Sequence, residues 1–242
     1  MQTDIENNNV KMGLRDGVPI ALVYLTTSFA FGIFATSSGL STVEAIMMSV
    51  FNLTSAGQFA AVPIMVAGGT YIELALTQLI INMRYSLMSV SLSQRFGGSI
   101  KLRHRFLIAY ANTDEVFAAA ISKKTPVGKK YMLSLILLPF LGWSLGTTLG
   151  AIAGNVLPKL LVNSFGIAIY AMFIAILMPE ARVHLPTALC ILAAAAISAV
   201  FYYVPYLSSL QSGVTIMIIA VSVGVVFALV APIKAEEAED CE

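Results

Sequence analysis

The chain has 242 residues, of which 58% are hydrophobic and only 11% charged, with a mean hydropathy of +0.85. A soluble domain carries about twice that charge, so the composition excludes an ordinary soluble fold and indicates a polytopic membrane protein. The net charge of +1 hides basic groups at Lys11, Arg15 and residues 95–130 and an acidic run after Lys234, an asymmetry that sets topology and does not point to nucleic acid.

At about 20 residues per span the chain has room for about seven or eight hydrophobic segments. The expected fold is an all-α membrane helix bundle forming one transmembrane domain over residues 1–242, with flexible ends at 1–10 and 234–242. Residues 1–9 are polar and include Asp4 and Glu6, unlike a cleavable leader, so the first span is expected to stay as an anchor. The apolar runs are 18–36, 43–67, 71–92, 106–121, 131–156, 165–178, 186–204 and 214–233. The second carries Asn52, Ser55, Gly57, Gln58 and Pro63, and the fourth Asn112, Asp114 and Glu115. Either can be broken or re-entrant, because backbone opened at membrane depth needs protein or water around it.

The positive-inside rule puts Lys11 with Arg15, residues 123–130 and Lys234 on the cytoplasmic side, and with them both termini. Eight full spans would place Arg95, Lys101, Arg103 and Arg105 outside. Re-entrant second and fourth runs leave six crossings and remove that conflict, and both counts stay open.

Within the third run, Arg84 is the informative residue. A guanidinium at the bilayer centre costs about 2.5 to 3.5 kcal/mol on insertion scales, so it faces protein, water or a counter-charge. The alternatives are a structural ion pair or snorkelling. Asp114 or Glu115 is the expected partner, since a carboxylate takes a bidentate guanidinium contact. Glu73 competes, but it lies three turns earlier and is expected to snorkel at the helix end. Asp114 and Glu115 are adjacent and point about a quarter-turn apart, so only one faces a given site. The inward carboxylate suits proton coupling; a fixed salt bridge or a solvated pair is the plain alternative.

Three polar constellations therefore sit inside apolar sequence: Asn52, Thr54, Ser55, Gly57 and Gln58; Gln78, Asn82, Arg84 and Tyr85; Asn112, Thr113, Asp114 and Glu115. A helix interruption at Ser55 to Gln58 would offer amide protons to a carboxylate and open carbonyls to an ammonium, the two ends of a zwitterionic amino acid. Simple packing through Ser55 and Gly57 is the competing reading. Farther on, Gly142, Gly146, Gly150 and Gly154 recur every fourth residue. They make one bare helical face for close backbone approach, by a helix of this chain or of another subunit. Trp143, Tyr202, Tyr203 and Tyr206 suit interfacial anchors or ordinary packing.

Chemistry of other kinds has little support. His104 and His184 are isolated, Cys190 and Cys241 do not make a disulfide framework, and no HExxH, GxSxG or GxxxxGK[ST] occurs. No enzyme, metal site or cofactor is expected.

Gly13-Leu14-Arg15-Asp16-Gly17-Val18-Pro19, Ser55-Ala56-Gly57-Gln58-Phe59-Ala60-Ala61, Asn82-Met83-Arg84-Tyr85-Ser86-Leu87-Met88 and Thr113-Asp114-Glu115 follow one another in an order that resembles the AzlC family. Gly142-Trp143-Ser144-Leu145-Gly146 and residues 171–177 extend the resemblance, which runs from about Lys11 to Ile233. It implies the larger subunit of an inner-membrane exporter of valine, leucine, isoleucine and often methionine, driven by the proton gradient. A small AzlD-like membrane protein would be its partner, and the bilayer its solvent. Gly166 departs from the acidic residue expected there, which puts in doubt a coupling carboxylate in that later helix. On this reading Ser55, Gly57 and Gln58 contact substrate, Asn82 and Arg84 bind its carboxylate or gate, and Asp114 or Glu115 pairs charge and couples protons. A non-transporting assembly subunit and a passive channel are the rival functions.

Overall fold

The structure is a computed structural model that describes residues 8–158, 160, 174, 177–179, 181–207, 210 and 212–230. Gly166, Lys234, Cys241, the 234–242 tail and most of the 165–178 run lie outside the described residues. Among the described residues the regular structure is helical and contains no strand: α1 Val10–Ser37, α2 Thr42–Phe51, α3 Ser55–Val66, α4 Tyr71–Gln94, α5 Leu102–Tyr110, α6 Asp114–Ile121, α7 Lys129–Val156, α8 Leu185–Tyr203 and α9 Ser212–Val230. Four of them, α1, α7, α8 and α9, are long and apolar enough to cross a membrane.

Chain contacts divide the molecule into two units, 1–58 with 82–166 and 59–81 with 167–242, so the division falls within α3 and α4. The first unit is built on α1 and α7. Asn9 opens α1 by accepting from the Lys11 amide at 2.9 Å. The two helices run parallel over their whole length, as matched pairs of glycine and facing backbone show. A side-chain carbon on Gly17 would lie 2.9 Å from the Leu135 carbonyl oxygen, and one on Gly142 only 2.5 Å from that of Ala21. Gly146 and Gly150 meet the carbonyls of Leu25 and Phe29 in the same way, and Gly32 that of Thr147. The helix facing the α7 glycines is thus α1 of the same chain. Contact this close replaces the hydrophobic drive that lipid does not supply.

Both doubtful runs are interrupted. After α2, Asn52 turns its side-chain oxygen onto the Thr54 amide at 3.1 Å and the Thr54 hydroxyl at 2.7 Å. This local bond competes with the helix ladder and ends α2 before α3 begins at Ser55. In the fourth run Ala111 to Thr113 separate α5 from α6. With nine and eight residues, each is about 12 to 14 Å long, half a hydrocarbon core of about 30 Å. The hairpin starts and ends at the same place: Phe96 and Val127 pair, with Val127 N donating to Arg95 O and Gly97 N to Val127 O, both at 2.9 Å. This run therefore folds back on itself as a helical hairpin with both ends on one side.

That hairpin settles where the basic groups of the first unit lie. Lys129 N donates to Ser99 Oγ at 2.9 Å, Lys130 N to Asn8 Oδ1 at 2.6 Å, and Lys123 Nζ meets Asp16 Oδ2 at 2.7 Å. The segments carrying Lys11 and Arg15, Arg95 to Arg105, and Lys123 to Lys130 gather at one end of the α1–α7 pair. A full crossing by the fourth run would have separated them.

In the second unit α8 packs on α9. Glu73 is 5% exposed and accepts the Gly213 amide proton at 3.0 Å, at the start of α9. It does not snorkel as its sequence position suggests: the positive end of α9 holds one carboxylate oxygen within the protein, while Oε2 is buried without a hydrogen bond among the described residues.

Candidate functional site

The middle of the first unit is a polar layer. Tyr24 lies midway along α1 and Trp143 midway along α7, with ring centroids 5.3 Å apart and planes at 75°. Each helix is 28 residues, about 42 Å, so these rings sit near the level of a bilayer centre. The Trp143 indole N–H donates to Gln58 Oε1 at 3.0 Å, Gln58 Nε2 donates to Ser49 Oγ at 3.0 Å, and Ser49 shares a 2.7 Å bond with Thr147. Trp143 is 1% exposed and Gln58, Ser49 and Thr147 fully buried. Trp143 is therefore a core residue and not an interfacial anchor, its indole proton needing the Gln58 acceptor so far from water.

Two interrupted helices deliver side chains to this layer. The α3 start brings Ser55, half-buried, and Gly57 and Gln58, both buried. The hairpin tip brings Asn112, whose Nδ2 donates to Ser89 Oγ of α4 at 3.3 Å, and the first turn of α6 brings Asp114 and Glu115. Those neighbours diverge as their spacing requires. Asp114 Oδ2 takes Arg84 Nη2 at 2.8 Å, and Glu115 Oε2 accepts the Tyr24 hydroxyl. Arg84 also reaches the Tyr85 hydroxyl at 3.2 Å, its guanidinium 5.0 Å from that ring's centre. Asn82 lies half a turn before Arg84 on α4, half-buried.

The Arg84 and Asp114 side chains are 52% and 46% exposed within the chain. They form a charged pair that another group can reach, unlike the sealed Gln58 chain beside it. A carboxylate approaching this pair can exchange with Asp114 for the guanidinium fork. Glu115, held by the Tyr24 hydroxyl, offers a second anionic position. Sequence reading misses Tyr24, Ser49 and Thr147, which look like ordinary mid-helix residues. The one signal is a tyrosine at the centre of an apolar span, where its hydroxyl must find a partner.

The Gln58 chain gives a stability test. Trp143→Phe leaves Gln58 Oε1 buried without its donor and is expected to cost about 1 to 3 kcal/mol. Trp143→Phe with Gln58→Met should cost less than the two single changes added together, since Ser49 keeps Thr147. Thermal unfolding of the four proteins in detergent measures the coupling; strict additivity would show that the bond contributes nothing.

Comparison with known proteins adds identity to this geometry. An uncharacterized membrane protein of Archaeoglobus fulgidus is 28% identical over 174 residues, 71% of this chain and 76% of its own length. The inner membrane protein YgaZ of Escherichia coli is 31% identical over 147 residues, 59% of this chain and 60% of YgaZ. The branched-chain amino acid transport protein AzlC of Bacillus subtilis is 24% identical over 166 residues, 67% of this chain and 64% of that protein. The match thus covers less than two thirds of the latter two proteins. No solved structure matches the chain. The family model described as AzlC protein matches residues 19–157, more than half of the sequence and the whole of the polar layer, and the chain belongs to the AzlC family.

Proposed function

We propose that this chain is the larger subunit of a secondary transporter that exports branched-chain aliphatic amino acids across the inner membrane, coupled to protons and working with a small membrane partner. Its termini and basic end face the cytoplasm, and residues 1–242 act as one transmembrane domain. The carrying observation is the half-exposed Arg84–Asp114 pair beside the tip of the α5–α6 hairpin, where the neighbouring Glu115 reaches Tyr24 at the midpoint of α1. Transporters bind substrate near the bilayer midplane, where discontinuous helices present termini and charged side chains. Arg84, with Asn82, receives the substrate carboxylate as Asp114 lets go; Ser55 and Gly57 line the polar side. Gln58, sealed between Ser49 and Trp143, acts through position and reaches substrate only by way of its neighbours. Asp114 and Glu115 carry the coupling, since displacement from Arg84 or Tyr24 leaves a carboxylate free to take a proton. The name of the Bacillus subtilis relative supports the substrate class.

The test is export of labelled valine from loaded, energised cells expressing the chain with and without its small partner, repeated with an uncoupler. Partner-dependent export abolished by the uncoupler is the expected result. Absence of export with both chains inserted would favour an assembly role, and non-saturating, uncoupler-insensitive flux a passive channel.

A further inference from the structure

Within the first unit, between the basic end and the polar layer, a cavity of about 380 Å³ opens between α5 and α7. Leu107, Tyr110 and Ala111 form its α5 wall, and Leu133, Leu137 and Phe140 lie on the α7 side. Among the described residues of its lining, Tyr110 alone has a polar side chain, and that hydroxyl donates to the Val50 carbonyl. The cavity lining thus has nothing to recognise the charged ends of an amino acid and suits a hydrocarbon chain.

The sequence of both walls tells what that hydrocarbon is attached to. Leu107 is four residues after Arg103 on α5, and Leu133 four after Lys129 on α7, so each apolar stripe begins directly above a cation on the same helix face. The cations converge at the basic end. His104 is held below its usual range, first by local desolvation and then by the charges of Lys129, Arg103 and Lys101. Among the described residues of this unit the carboxylates are committed elsewhere: Asp16 to Lys123, Glu44 to the α2 cap, Asp114 to Arg84 and Glu115 to Tyr24. The cation cluster has no protein anion among these residues, and an apolar groove rises from it.

We propose that this groove binds an anionic glycerophospholipid, its phosphate at Lys101, Arg103 and Lys129 and one acyl chain along Leu107, Leu133, Leu137 and Phe140. Charge complementarity selects lipid over an apolar protein helix, because the groove and the cation cluster share one axis and the phosphate sits where the chain begins. Arginine and lysine at the mouth give charge-assisted bonds to phosphate oxygens.

The experiment is native mass spectrometry of the full-length chain titrated with phosphatidylglycerol or phosphatidylcholine of identical acyl chains. Retention of phosphatidylglycerol should be tighter, and Lys101→Gln, Arg103→Gln and Lys129→Gln should each weaken it about fivefold while leaving phosphatidylcholine unchanged. Leu137→Trp, which fills the groove, should weaken both lipids. Because that variant can misfold, Leu137→Cys is read beside it. The thiol introduced by that change should be shielded from a maleimide by added phosphatidylglycerol and exposed without it. Equal retention of the two lipids, an unaltered preference in the variant carrying all three glutamine changes, or shielding of the introduced thiol in lipid-free protein by a second copy or a protein partner would each overturn the proposal.

Discussion

Replacing Gly150 by leucine is expected to abolish the folded chain. A side-chain carbon at this position falls on the Phe29 carbonyl of α1, with the Phe29 carbonyl carbon 2.8 Å away. Neither atom belongs to a flexible side chain, so α1 and α7 must separate, and the neighbouring contacts of Gly146 and Gly32 are lost with them. Ordinary overpacking costs about 1 to 3 kcal/mol; parting a parallel pair that frames the polar layer belongs with the exceptional changes above about 4 kcal/mol. The series is graded by what each glycine faces. Gly150→Ala should be severe. Gly154→Ala should be milder, since the nearest obstacle is the Thr36 hydroxyl, which can turn away. Gly224→Ala, with no atom within 4 Å, should be neutral or stabilise slightly through helix propensity. Monodisperse yield and thermal unfolding in detergent measure all four variants. Equal yields for Gly150→Leu and Gly224→Ala would show that the α1–α7 contact does not hold the unit together.

That series also shows what the sequence makes legible. A glycine every fourth residue announces a bare helical face, but the facing surface is carried by Ala21, Leu25 and Phe29, which continue the spacing of Gly13 and Gly17 without being glycines. Their backbone, not their side chains, makes the contact, so the partner is invisible in the sequence. The broken helices are legible because polar residues interrupt apolar runs, and Asn52 competes locally with helix bonds. Where the fourth run returns is not legible from hydropathy, which gives length but not direction. The decisive facts are the Phe96–Val127 pairing and the Lys129–Ser99 bond, each a long-range contact made by residues of low local signal. At the site, charge announces Arg84, Asp114 and Glu115, since ionised groups in a span demand partners. Tyr24, Trp143 and Gln58 depend on three elements meeting at one depth. Trp143 suits an anchor in the sequence because tryptophan is common at interfaces, yet the glycines flanking it bury that helix face.

Arg84→Ala is expected to lower transport by between about tenfold and about a hundredfold, the range of one charge-assisted hydrogen bond to substrate, while sparing most of the folded yield. The pair is about half exposed, 52% and 46%, so loss of the ion pair itself should cost nearer the 1 kcal/mol of an accessible bridge than the 3 to 5 kcal/mol, roughly, of a buried one. Asp114→Asn leaves Arg84 with a neutral neighbour and should tighten substrate retention while slowing release, because the competing carboxylate is gone. Arg84→Lys keeps the charge but not the planar fork, and should raise KM more than it lowers insertion. The exchange Arg84→Asp with Asp114→Arg decides between recognition and architecture. A purely structural pair tolerates reversal, and both yield and valine export should return. If Arg84 receives the substrate carboxylate, reversal restores yield but not export, since the guanidinium now sits on the first turn of α6 and no longer beside Tyr85. Yield measured by fluorescence of the detergent-solubilised protein, with export measured in the same cells, separates the outcomes, and recovered export in the reversed pair would remove Arg84 from the substrate site.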